Sequence, residues 1–153
     1  MIRVFNTMPR RICYRILTLL AMISAAPLAA ETVIYGDTEI HYSIFNTSFL
    51  QPQVAEAYDI VRAKDRALIN IAVRRKLENN ATEASAATIT GTVNDLIHRR
   101  DLQFIEIREQ GAIYYLAEMK FINQETLYFD ISVQPNAMET PHKLEFRHTF
   151  YRD

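Results

Sequence analysis

The sequence has no tryptophan, one cysteine, three glycines and five prolines. Scarce glycine and proline exclude collagen-like and low-complexity disordered chains, which depend on them. The lone Cys13 precedes the apolar run Ile16 to Ala26, whereas a lipid-modified cysteine follows such a run. Beyond residue 30 no cysteine remains, so disulfides, thiolate nucleophiles and cysteine-based zinc sites are excluded there. Histidine is also sparse. His41, His98, His142 and His148 include no i, i+4 pair, though His41 and His148 could meet across neighbouring strands.

Acid is missing from the first thirty residues, which carry Arg3, Arg10, Arg11 and Arg15. A basic segment, the apolar run, and then Pro27, Leu28, Ala29 and Ala30 make residues 1–30 a secretory signal peptide. Cleavage is expected after Ala30, although Leu28 is large for its place. An uncleaved anchor is the alternative, but the run is shorter than the roughly 20 residues a spanning helix needs. No membrane span is therefore expected after cleavage. The Arg10, Arg11 pair admits a twin-arginine route. Its flanks fit that motif poorly, which points to general secretion and a periplasmic destination.

Residues 31–153 are expected to form one domain. Without the four leader arginines they hold 13 Lys plus Arg against 18 Asp plus Glu, a formal charge of −5. Nucleic-acid binding needs a concentrated positive face, so no nucleic-acid partner is expected.

Most of this region alternates with period two. In residues 126–134, Leu127, Phe129, Ile131 and Val133 share one face, and Thr126, Tyr128, Asp130 and Ser132 the other. Residues 86–94 put Ile89 and Val93 inward, with Gly91 marking a bulge or a close backbone approach. Residues 101–121 read as two strands turning at Gln110 and Gly111. Further strands are expected at Thr32 to Tyr35, Glu39 to Phe45, Ala67 to Arg74 and Lys143 to Tyr151, with Glu78 to Ala87 as an exposed hairpin loop. Seven or eight short strands predict an all-β fold, an immunoglobulin-like antiparallel β-sandwich. A small closed barrel is the alternative, since strand count does not separate the two.

One stretch departs from this pattern. After Asn46, Thr47 and Ser48 the chain places Pro52 where a helix can begin, then Val54, Ala55, Tyr58 and Val61 at near-helical spacing. One short helix is expected in an early crossover between strands that are not hairpin partners, as a plug over one end of the core or as a recognition surface.

Several segments in order, "HYSIFNTSFL", "RALINIAV", "FIEIREQGAIYYLA", "ETLYFDISVQP" and "FRHTFYRD", resemble the bacterial domain-of-unknown-function 4426 family. The resemblance spans essentially all of residues 31–153. It implies a small exported protein of Gram-negative bacteria with an immunoglobulin-like sandwich. It implies no activity, ligand or catalytic residue.

No nucleophile elbow, phosphate-binding glycine loop or dinucleotide fingerprint is present, so no catalytic residue, metal or cofactor is assigned. Glu106, Glu109, Glu118 and Glu125 read as solvated faces. The richest polar cluster is in residues 60–70. There His41, Asn46, Tyr58, Arg62, Arg66 and Asn70 form a candidate binding rim, because arginine forks suit a carboxylate or a chain terminus. The competing reading gives Arg62 and Asn70 a structural task, bonding carbonyls of the helical connection. Outward tyrosines among Tyr114, Tyr115, Tyr128 and Tyr151, and the sheet edges, offer further contact surfaces. The function expected is a noncatalytic protein-interaction module of the cell envelope, with a protein partner. The alternative is a periplasmic small-molecule or polymer binder with a polar pocket near Arg62 and His41.

Overall fold

The computed structural model describes residues 30–152, so the leader reading lies outside the described residues. Ten strands form two antiparallel sheets: β1 (Glu31–Tyr35), β2 (Thr38–Asn46), β3 (Arg66–Lys76), β4 (Thr82–Ala84), β5 (Thr88–Asn94), β6 (Arg99–Asp101), β7 (Ile105–Glu109), β8 (Ala112–Lys120), β9 (Glu125–Gln134) and β10 (His142–Phe150). The larger sheet runs β1-β2-β3-β8-β7 with β4 beside β3, and the smaller runs β10-β9-β5-β6. This is the expected sandwich, and the sheets do not close into a barrel.

The alternating strands face their apolar residues toward each other across the two sheets. Ile40, Ile69, Ile71, Leu127, Ile131 and Val133 are completely enclosed there. Stacked rings close the seam where β1 and β2 approach β10: Tyr42 on Phe146 at 4.7 Å, and Phe129 on Phe146 at 4.7 Å. Gly91 pairs in register with Ile131, and a Cβ there would lie 2.9 Å from Ile131 Cγ1. Close approach, not a bulge, is thus what the glycine serves. Gly111 turns β7 into β8 with φ of +76°, the positive value its position suggested.

The expected exposed loop at residues 78–87 holds β4, which returns along β3 with Arg75 opposite Glu83. β6 was also unforeseen. Both strands span three residues, too short for a period to register. Tyr151 falls just past the end of β10, and Tyr115 is buried within its strand.

The helical connection differs most from expectation. β2 and β3 are antiparallel neighbours, Tyr42 opposite Ile71, so the chain from 47 to 65 leaves the larger sheet and returns to it without crossing. It carries a 3-10 turn (Thr47–Phe49) and α1 (Pro52–Ala57). This segment, hereafter the strap, lies on the outer face of the larger sheet and plugs neither end of the core. Ala55 and Ile60 pack there on Leu68 and Leu116, a second apolar cluster separate from the inter-sheet core. The helix stops after six residues, with Asp59 at φ of 55°. That early stop breaks the expected stripe: Ile60 becomes the buried residue and Val61 is left exposed.

Candidate functional site on the outer face of the larger sheet

Register decides which residues share the outer face. On β2 these are Glu39, His41, Ser43 and Phe45, and on β3 Arg66, Leu68, Asn70, Ala72 and Arg74. Glu118, Leu116 and Tyr114 follow on β8. His41, Arg66 and Asn70 of the candidate rim therefore lie on one face, with Tyr58 and Arg62 in the strap above it. Asn46 faces the other way. It is buried, and its Nδ2 donates to the Tyr151 carbonyl at 2.8 Å, joining β2 to the chain after β10.

The strap is fastened from several sides. Thr47 is fully buried, and its hydroxyl accepts the Ala63 amide at 3.0 Å, closing the base of the strap. Arg62 donates to the Ser48 carbonyl at 3.0 Å, the structural task considered for it. Arg66 is ion-paired with Glu118, whose second oxygen accepts the Val61 amide at 3.2 Å. Tyr58 donates its hydroxyl to the Glu109 carboxylate. Glu125 accepts the Ile122 amide at 2.7 Å, and Glu106 pairs with Arg108 and accepts from Tyr115. The glutamates read as merely solvated are therefore the acceptors that hold loops and strap. Arg108 beside Glu106 holds that carboxyl below its usual range, and burial raises the Tyr115 hydroxyl.

Asn70 does not bond the strap's backbone: its Oδ1 is buried and without a partner. Beside it, where β3 ends its pairing with β8 and begins pairing with β4, the sheet opens into a half-open depression of about 210 Å³. His41, Ala72, Arg74, Ala84, Ala112 and Tyr114 line it. His41 is held between Thr32, at 2.9 Å, and Glu39, at 3.3 Å. Arg74 is committed to Thr82 through two bonds of 2.7 Å. The structure thus places His41 at the depression, Asn70 on the same sheet face two residues before Ala72 of its lining, Tyr58, Arg62 and Arg66 at the strap, and Asn46 on the inner side. His41 does not meet His148, which is on β10 of the other sheet with its ring edge on Phe150 and its pKa lowered by partial burial. Among the described residues no three of His, Cys, Asp or Glu converge as a metal set.

Leu68 and Leu116, which bind the strap, were missed by the sequence reading. The signal was available: residues 67–73 are apolar on both faces but for Asn70, as a strand covered on both sides must be.

A crystal structure of a DUF4426 family protein from Pseudomonas aeruginosa PAO1 is similar to this chain, with TM-score 0.68 and 34% identity over 81% of this chain and 96% of that one. A copper-bound variant of FetP from uropathogenic Escherichia coli has TM-score 0.57 and 14% identity over 81% and 96% of the two chains. FetP expressed in the periplasm of E. coli gives 0.56 and 14% over 80% and 94%. At that identity FetP shares the fold alone. No curated protein sequence matches the chain. The profile of the family described as a domain of unknown function, DUF4426, matches residues 33–153, and the chain therefore belongs to the DUF4426 family.

Proposed function

We propose that this protein is exported to the periplasm by a cleaved signal peptide of residues 1–30. There it serves as a noncatalytic module that contacts a protein partner through the strap and the outer face beneath it. One observation carries the reading: the outer face beside Tyr58, Arg62 and Arg66 is a filled surface. The strap occupies the face over Leu68 and Leu116, and the depression left beside it, about 210 Å³, is smaller than the roughly 300 Å³ at which ligand pockets begin. The basic segment, apolar run and small residues of residues 1–30 support the compartment. Among the described residues no helix is long and apolar enough to cross a membrane.

A photoreactive residue at Glu56, exposed on α1, tests this in intact cells. One dominant protein adduct that disappears with Arg66→Ala is the expected result. Folded protein with no adduct overturns it.

A second reading has one observation in its favour, the unpartnered Asn70 Oδ1 on the same sheet face as His41. A small ligand with a hydrogen-bond donor, seated in the depression, would satisfy it. Arg62 takes no part in this version, since it lies on the strap.

A further inference from the structure

One end of the sandwich differs from every other surface. β2, β5, β8 and β10 finish there, and β3 and β9 begin there, as the pairs Asn46 with Ala67, Arg66 with Lys120, Asn94 with Tyr128 and Glu125 with Phe150 require. Hydrogen bonds knit its loops into one surface. Phe121 N donates to Asp65 O at 3.0 Å, Arg152 N to Asn123 Oδ1 at 2.9 Å, and Arg100 reaches the Lys120 carbonyl at 3.3 Å. Of the ten large apolar side chains exposed among the described residues, Phe49, Val61, Leu96, Ile97, Ile122 and Tyr151 lie at or beside this end.

The β5–β6 turn is the most telling part. Leu96 and Ile97 are 76% and 84% exposed, adjacent at a loop tip. They are not there by slackness. Asp95 Oδ1 accepts the Ile97 amide at 2.9 Å and the His98 amide at 2.7 Å, and Asn94 Oδ1 accepts the Leu96 amide at 3.3 Å. Those amides hold the Asp95 carboxyl down at about 2. Leu96 takes φ of 76°, a left-handed conformation a bulky side chain rarely adopts. A strained, bonded turn that holds two large aliphatic groups in water is accounted for if those groups are buried in use.

Charge around them is sorted by exposure. Arg62, Lys64, Arg100, Lys120 and Arg152 are exposed at this end. Among its acids, Asp95 and Glu125 are turned onto loop amides, Glu118 onto Arg66 and Asp130 onto Arg99, while Asp65 is half-buried and Asp101 exposed.

We infer that this end docks on an anionic phospholipid bilayer, with Leu96, Ile97 and Ile122 entering the headgroup boundary and the exposed cations meeting lipid phosphates. Apolar side chains at a tip, with exposed cations at the same end, are the combination that gives peripheral binding to such a surface. The docking is independent of the protein partner, which would contact the strap from the flank.

Because the sequence has no tryptophan, an Ile97→Trp variant carries a single indole reporter. The test uses residues 30–153, which contain every strand among the described residues and both apolar clusters, so no leader can insert. With phosphatidylglycerol vesicles its emission should shift to the blue, and far less with phosphatidylcholine alone. Met138→Trp, in the loop at the opposite end, should not shift. Reversing Lys64 and Lys120 together (Lys64→Glu, Lys120→Glu) should weaken binding by about 25-fold or more, near fivefold for each cation removed. No shift for Ile97→Trp at low salt overturns the inference, as does an equal shift at both ends. Binding that the double reversal leaves unchanged overturns the anionic requirement.

Discussion

The two faces of the larger sheet solve the same problem by different means. The inner face packs against a second sheet, where Ile40, Ile69, Ile71 and Val73 meet Leu127, Ile131 and Val133. The outer face is covered by a single strap, through Ala55 and Ile60 on Leu68 and Leu116. The inner cover is built from strands far apart in sequence and is held by many rings and branched side chains. The outer cover is one connection, tied at Thr47, Arg62 and Glu118. The inner interface is therefore the condition for folding, and the outer one is an attachment that can loosen while the sandwich persists.

Adjacent residues of β3 put that contrast to the test. Ile69 points inward with no exposed surface. Ile69→Ala should cost about 4 kcal/mol, since the stacked sheets cannot collapse into the void. Chemical denaturation reads this directly, and a loss under 2 kcal/mol would show that the inner face is no more demanding than the outer.

Leu68 is nearly as buried, 3% exposed, but faces the strap. Leu68→Ala should cost about 2 kcal/mol, at the low end for such truncations, because the strap can settle onto the smaller side chain. Equal losses at Ile69 and Leu68 would break the distinction between the faces.

The smallest effect is expected at the strap's base. Thr47→Val keeps the shape but leaves the Ala63 amide without its acceptor, a loss of about 1 to 2 kcal/mol. Amide exchange should quicken across residues 51–63 while β3 and β9 stay protected. Uniform acceleration through both sheets would mean that strap and core open as one unit.

Legibility in the sequence followed the range of the interactions. β9 could be read because its alternation reports burial residue by residue, and Gly91 and Gly111 because each needs something only glycine supplies. β4 and β6 could not, because three residues hold no period. Of the candidate rim, the outward setting of His41, Arg66 and Asn70 follows from alternation along their strands. The inward turn of Asn46 follows from the same rule, since it shares the parity of Ile40 and Tyr42. What alternation could not say is that Tyr58 and Arg62 would fasten a strap, or that Glu109 and Glu118 would receive it.

Composition and local pattern alone determined the all-β class, the absence of cysteine beyond residue 30, the resemblance to DUF4426 and the faces of the long strands. These depend on each residue's own chemistry and on neighbours two positions away. Tertiary structure decided that β2 and β3 are partners, that the helix covers a sheet face, and that exposed aliphatics gather at one end. Pairing and covering are set by registers between segments tens of residues apart, and each such contact gains its free energy only once the sheets have met.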